Sequence, residues 1–382
     1  MSRRTPAASA SMAFLTLLVF LVSPAPGHAA TETAQTALYR LGHARLEAGR
    51  FDEAAGLFAR AWAIDKTDRS ATLWHMPLSF YQGQLALTRR EHAAALDHFR
   101  RALELKKRLT PVRDAEQAAI QRYLELTPEH ARYCTGKPQY VFRILVLSIM
   151  HTELKDIKDH FGKPVTGRGS LHVNKDALAT LGQEMLKFHV ETLTRGRLSM
   201  AFDNKYVDTT LTRANWYARQ ARRTMFRPDW NSTSDSLGPL FFAGRNTYDA
   251  FFFYFINKNF QVWPHANGVP TIYHPYTWYG PSRPSVVMPM GGDGRSSNGL
   301  RISRLNNAWV LFHEFFHVVE RISGGIGPQH GWEPAYRQRV RQRYPDWVPD
   351  PDPGWTITEY SWYRYHLLHT VPKQMEKKAR KS

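Results

Sequence analysis

Between Trp309 and Ile322 the chain carries large apolar side chains at Trp309, Val310, Leu311, Phe312, Phe315, Phe316, Val318, Val319 and Ile322. Apolar on almost every side, such a segment is stable only as a helix buried in a sizeable core. Before its last turn, where Glu320 and Arg321 stand, three polar residues interrupt it, His313, Glu314 and His317, and leaving them unpartnered in that setting would cost several kcal/mol. Their spacing offers a resolution. On a helix His313 and His317 share a face, one turn apart, and can aim two imidazole nitrogens at one tetrahedral metal ion. Glu314 lies about 100° round the axis, where a carboxylate can take a proton from water at the metal's open position. The residues therefore ask for a buried helix, a zinc ion and a third ligand from elsewhere.

The helix cannot supply that ligand itself. Glu320 shares the face but lies about 10.5 Å along the axis from His313, too far to close one coordination sphere. Ser323-Gly324-Gly325 and Gly327-Pro328 stop the helix and reverse the chain, which brings His330 towards the metal. Glu359 and Glu333 are the alternative third ligands. A donor for the oxyanion that forms on an attacked carbonyl is also needed. Tyr360, Tyr363, Tyr365, His366 and His369 crowd one region, and none of them stands out for that role.

The rest of the C-terminal part reads as alternating strands and helices. Val141 to Ile149 is a nearly continuous apolar run of strand length, and Asp176 to Thr194 has helical spacing through Leu178, Leu181, Met185 and Phe188. Leu198, Met200 and Phe202 alternate as a strand does, Tyr248 to Ile256 is an aromatic strand, and Arg227 to Leu237 reads as a loop. A short strand at Ser285 to Met290 then leads through a Gly- and Ser-rich loop into the His313 helix. The His-Glu-Phe-Phe-His motif and this order of elements resemble the zincin metallopeptidases. The resemblance implies Zn2+ as cofactor, His313 and His317 as metal ligands, Glu314 as catalytic base, and hydrolysis of peptide bonds. It also implies an edge strand that pairs with an extended substrate, here Val286, Val287, Met288, Pro289 and Met290. The spacing from His317 to His330 is longer than in metzincins, and no methionine turn follows.

Ahead of this domain, two segments echo each other. Ala37 to Gly42 is followed by Ala54, Phe58 and Ala61, and Leu78 to Gly83 by Ala95, Phe99 and Ala102. Small residues where helices cross, with turns at Ala48-Gly49-Arg50 and Thr88-Arg89-Arg90, predict two helical hairpins that resemble tetratricopeptide repeats. The repeat is longer than the usual length of about 34 residues, and a loop inserted over Lys66 to Pro77 accounts for the excess. A third helix over Arg113 to Leu126, ending before Pro128, caps the array.

With 382 residues, the chain has room for several domains. The expected class is multidomain, an N-terminal all-α helical repeat followed by a C-terminal α+β zincin-like metallopeptidase domain. Arg3 and Arg4, the apolar run Ala13 to Val22 and the small residues up to Ala30 read as a secretory signal peptide. The expected division is 1–29 signal, 30–132 repeat domain, 138–372 catalytic domain and 373–382 basic tail. The chain is then secreted or periplasmic, with no transmembrane anchor once the signal is cleaved. A single cysteine, Cys134, excludes an intrachain disulfide. Net charge is +18, and the scatter of basic residues along the chain argues against nucleic acid as a partner. The partners implied are a peptide or protein substrate and a protein bound by the repeats. Two other functions fit the same residues, a repeat-based binding protein with an inactive or structural metal domain, and a zinc amidase acting on cell-wall peptides.

Overall fold

A glycine facing a phenylalanine ring occurs twice in the N-terminal half, and it fixes how the helices pair. The computed structural model describes residues 33–65, 69–110, 115–158, 164–170, 177–212, 214–220, 223–228, 247–256 and 285–290, together with Leu311, Phe315, Gln342 and Leu367. Helix α1 (Ala34–Glu47) starts at Thr33, whose hydroxyl accepts from Thr36 N at 3.2 Å, and α2 (Phe51–Ile64) returns alongside it. Helices α3 (Arg69–Thr88) and α4 (His92–Leu109) form the second hairpin. A Cβ added at Gly42 would lie 2.6 Å from Phe58 Cε1, and one added at Gly83 the same 2.6 Å from Phe99 Cε1. Both glycines are needed because the rings pack directly onto the backbone of the preceding helix.

The hairpins correspond at a constant spacing of 41 residues, Tyr39 with Phe80, Leu46 with Leu87, Ala54 with Ala95 and Ala61 with Ala102, all buried. Even the turns match. Arg50 N donates to Arg45 O at 2.8 Å and Glu91 N to Ala86 O at 2.9 Å, the same bond in each copy. The left-handed residue that ends the first helix is Gly49 (φ 72°), and its counterpart is Arg90 (φ 61°).

The inserted loop expected over Lys66 to Pro77 is instead largely helix. The counterpart of the α1 start would be residue 75, yet α3 begins at Arg69 and carries Pro77 inside it. A proline there removes a backbone bond and crowds the preceding turn. Packing outweighs that penalty, because Met76, Pro77 and Leu78 are all buried and Trp74 stacks on Tyr39 and Phe58 at 6.4 and 6.3 Å. The same correction applies to α5 (Ala115–Tyr133), which continues through Pro128. Its buried side chains beyond Leu126 include Thr127 and His130, so tertiary contacts hold the last turns in place.

The second half is built on β1 (Tyr140–Lys158), longer than the apolar run that announces it. Strand β2 (Pro164–Ser170) pairs antiparallel with its far end, from His151 to Lys158. Helix α6 (Ala177–Leu193) then leads to β3 (Leu198–Leu211), parallel to β1 from Tyr140↔Leu198 onward. Strands β4 (Ala214–Gln220) and β5 (Arg223–Pro228) form a separate antiparallel hairpin, so Arg227 and Pro228, expected in a loop, belong to a strand. Strand β6 (Ala250–Ile256) is parallel to β1, and β7 (Ser285–Met290) is parallel to β6. Residues Ile144 to Ser148 pair with both β3 and β6, which therefore flank β1. Four parallel strands result, in the order β3-β1-β6-β7. Asp249 pins the start of β6 to β1, its carboxylate accepting from Arg143 N at 2.9 Å and its own N–H donating to Arg143 O at 2.7 Å.

Alternation along the strands sends Phe142, Ile144, Val146, Met200, Phe252 and Tyr254 into one core that also contains Leu186 and Leu193 of α6. That core continues into the helical hairpins, where Tyr123 of α5 stacks on Phe188 of α6 at 5.9 Å. Helix α6 therefore packs against α3 and α5 as well as β3. No described helix is long and apolar enough to cross a membrane.

Candidate functional site

Two points of the His313 segment are described, and both lie in the core. Leu311 and Phe315 are helical and fully buried. Phe315 meets Phe142 of β1 edge to face at 5.6 Å, with an interplanar angle of 88°. Leu311 and Phe315 thus share the core that α6 also lines, together with Leu367. His313, Glu314, His317, His330, Glu333 and Glu359 lie outside the described residues, as do residues 1–32 with the expected signal peptide and the tail 373–382. Among the described residues no group of three or more His, Cys, Asp or Glu side chains could hold a metal ion. Val286 to Met290 form β7, with register Val286↔Phe252 to Met290↔Ile256, and among the described strands only β6 pairs with it.

A second polar cluster lies where the helical hairpins meet α6. The His130 ring, on α5, sits between two partners. Its Nε2 donates to Glu191 Oε2 of α6 at 3.0 Å, and its Nδ1 is 2.8 Å from Nε2 of His92, the first residue of α4. Ser199 of β3 donates to the other carboxylate oxygen, Oε1, at 2.5 Å. Arg90 closes the group, 3.9 Å from Glu191 Oε2 and donating to Cys134 O at 2.5 Å. His130, Glu191 and Ser199 are buried, while His92 is half-buried and Arg90 exposed.

The electrostatics follow from this enclosure. Burial alone would raise the Glu191 carboxyl, but hydrogen bonds from His130 and Ser199, with Lys187 nearby, hold it below the ordinary carboxylate range. Burial also lowers His92, and the positive charge available to His130 and Arg90 lowers it further. His189, fully buried beside this cluster, is held well below the usual histidine range. The Cys134 thiol is pushed up to about 12 by burial and then by Glu191, so it is a packed, protonated side chain rather than a nucleophile. The enclosed carboxylate, with donors on three sides, is built to stay ionised and to hold α5, α6 and β3 together.

Sequence reasoning missed this cluster, although a local signal was present. Leu186 to Leu193 is a core-facing helical stretch in which His189 and Glu191 are as out of place as His313 and Glu314 are in theirs. Their partners lie 61 residues away in the case of Glu191 and His130, beyond any periodicity. Comparison with known protein families, with characterised proteins and with solved structures gives no match.

Proposed function

We propose that this chain is an exported zinc-dependent metallopeptidase that hydrolyses peptide bonds, carried on an N-terminal helical-repeat module. The carrying observation is the burial of Leu311 and Phe315 against the sheet. They lie four residues apart and so mark one face of a helix. On a continuous helix, positions 313 and 317 fall about 200° round the axis from the residues two before them. Such a helix would keep the two imidazoles together on the side away from the Phe142 contact, with Glu314 next to them.

His313 and His317 would hold the ion with His330, or with Glu359 or Glu333 in its place. Bound zinc supplies the positive charge that acidifies water and polarises a carbonyl. Glu314 takes the water's proton and returns it to the leaving amine. Strand β7, parallel to β6, supplies backbone that an extended substrate could continue. The hairpins cradle α6 through α3 and α5, and this supports a role in carrying the catalytic domain as well as in meeting a partner.

The test uses the purified full chain, metal analysis and a peptide library. Wild type should hold about one zinc per chain, and Glu314→Gln should keep the zinc while hydrolysis falls by about three orders of magnitude or more. His313→Ala and His317→Ala should lose the metal. Absence of stoichiometric zinc, or undiminished hydrolysis by Glu314→Gln, defeats the proposal. Release of peptide from isolated cell wall with casein left intact would instead identify the amidase.

A further inference from the structure

The contact between helical hairpins and sheet runs through a row of groups with a limited capacity for protons. We infer that His92, His130 and Glu191 form a proton-operated latch, which holds α4 and α5 onto α6 at neutral pH and releases them on acidification.

Proton counting sets the rule. Glu191 is ionised and accepts from His130 Nε2, so in the neutral pair Nδ1 of His130 is the acceptor and Nε2–H of His92 the donor, 2.8 Å apart. One extra proton is tolerated, because His130 can then donate from both nitrogens while His92 turns its unprotonated nitrogen inward. A second proton is not. With four N–H groups on the two rings no lone pair remains between them, and two cations face each other at hydrogen-bond distance.

The charges around the pair disfavour the second proton. The Arg90 guanidinium of the α3–α4 turn and a charged His130 act on His92 itself, while Lys187 of α6 acts on Glu191, and Arg122 of α5 acts on the buried His189 ring, on which His130 also acts. The coil after α5 contributes the neutral Cys134 thiol, and β3 the Ser199 hydroxyl. Among the described residues Glu191 is the carboxylate bonded to the pair, and Ser199 and His130 already share it.

The sign is fixed by the directions of the shifts. His92 is lowered from 6.5 in the folded chain, so its contribution is complete above 6.5 and is lost as pH falls through the depressed folded value. Glu191 is lowered from 4.5 and stays ionised throughout that range. The release therefore belongs to His92.

Hydrogen–deuterium exchange on the full chain, corrected for intrinsic rates, tests the latch between about pH 7.5 and about pH 5. Protection of peptides covering residues 90–96 and 186–194 should fall together by about tenfold or more, while residues 34–64 keep theirs. His92→Gln, whose amide can donate to His130 without taking up a proton, should keep both peptides protected to lower pH. Unchanged protection in wild type, equal loss over residues 34–64, or the same midpoint in His92→Gln would each overturn the latch.

Discussion

Replacing Gly83 with alanine should destabilise the protein by about 1–2 kcal/mol, although alanine is the better helix former. The added Cβ would meet Phe99 at 2.6 Å from Cε1 and 2.8 Å from both Cδ1 and Cζ. Ordinary carbon–carbon contact is about 3.5–4.0 Å, so the ring would have to retreat by about 1 Å. It has nowhere to go. Phe99 is fully buried, with Phe80 edge-on at 5.7 Å and Tyr123 stacked at 5.0 Å, and Tyr123 is itself backed by Phe188. Overpacking of this kind costs about 1–3 kcal/mol, and a clamped, fully buried ring belongs in the upper half of that range. Removing a helical glycine returns about 1 kcal/mol. Gly56→Ala is the matched control, since nothing lies within 4 Å of a Cβ there and only the propensity gain remains. Urea denaturation followed by circular dichroism should show the two variants moving in opposite directions with equal m-values. If Gly83→Ala is as stable as Gly56→Ala, the ring is not held where the packing places it, and the explanation of both repeat glycines fails.

Gly196→Ala should be costlier than Gly136→Ala, because residue 196 has φ +75° and its new Cβ would lie 2.7 Å from Tyr133 O, whereas nothing lies within 4 Å at residue 136. Paired melting curves would show it, with about 2 kcal/mol or more lost at 196 and little at 136. Cys134, with its thiol pushed up to about 12, should resist alkylation at about pH 8 in the folded chain and react readily in urea. Equal rates in both conditions would contradict its burial. The Tyr248 phenol, raised to about 12 chiefly by its hydrogen bond to Asp203, should appear in an ultraviolet titration as a late-ionising tyrosine. In Asp203→Asn that step should move back towards the ordinary tyrosine value of 10.0; no movement would show that another group sets it.

The elements whose signals are local were legible in the sequence. Helix α6 follows from periodicity, because its core face is the run Leu181, Met185 and Phe188, and strand β7 follows from composition. Pro77 and Pro128 misled for the opposite reason. A proline weakens a helix locally, while Trp74, Met76 and His130 hold those turns through contacts made far along the chain. The β4–β5 hairpin escaped because Arg223 to Pro228 carries Arg223 and Arg227 around a single Met-Phe pair and ends in a proline, with no apolar face long enough to declare a strand. The chemistry expected of His313, Glu314 and His317 rests on residue type and spacing, and those residues lie outside the described ones. The Glu191 cluster was not assembled, since its members come from α4, α5, α6 and β3 and only folding brings them together.

Gly49 and Arg90 hold the same place in the two hairpins, and the difference between them matters for the whole molecule. A left-handed turn suits glycine and burdens arginine by about 1 kcal/mol. The second copy accepts that strain, and its guanidinium reaches out of the hairpin to the Cys134 carbonyl and the Glu191 carboxylate. Two similar building blocks have thereby become unequal, one an interchangeable spacer and the other the mooring of the array. Engineering the repeats towards a common sequence by writing glycine at residue 90 would relax that turn and cast the mooring off.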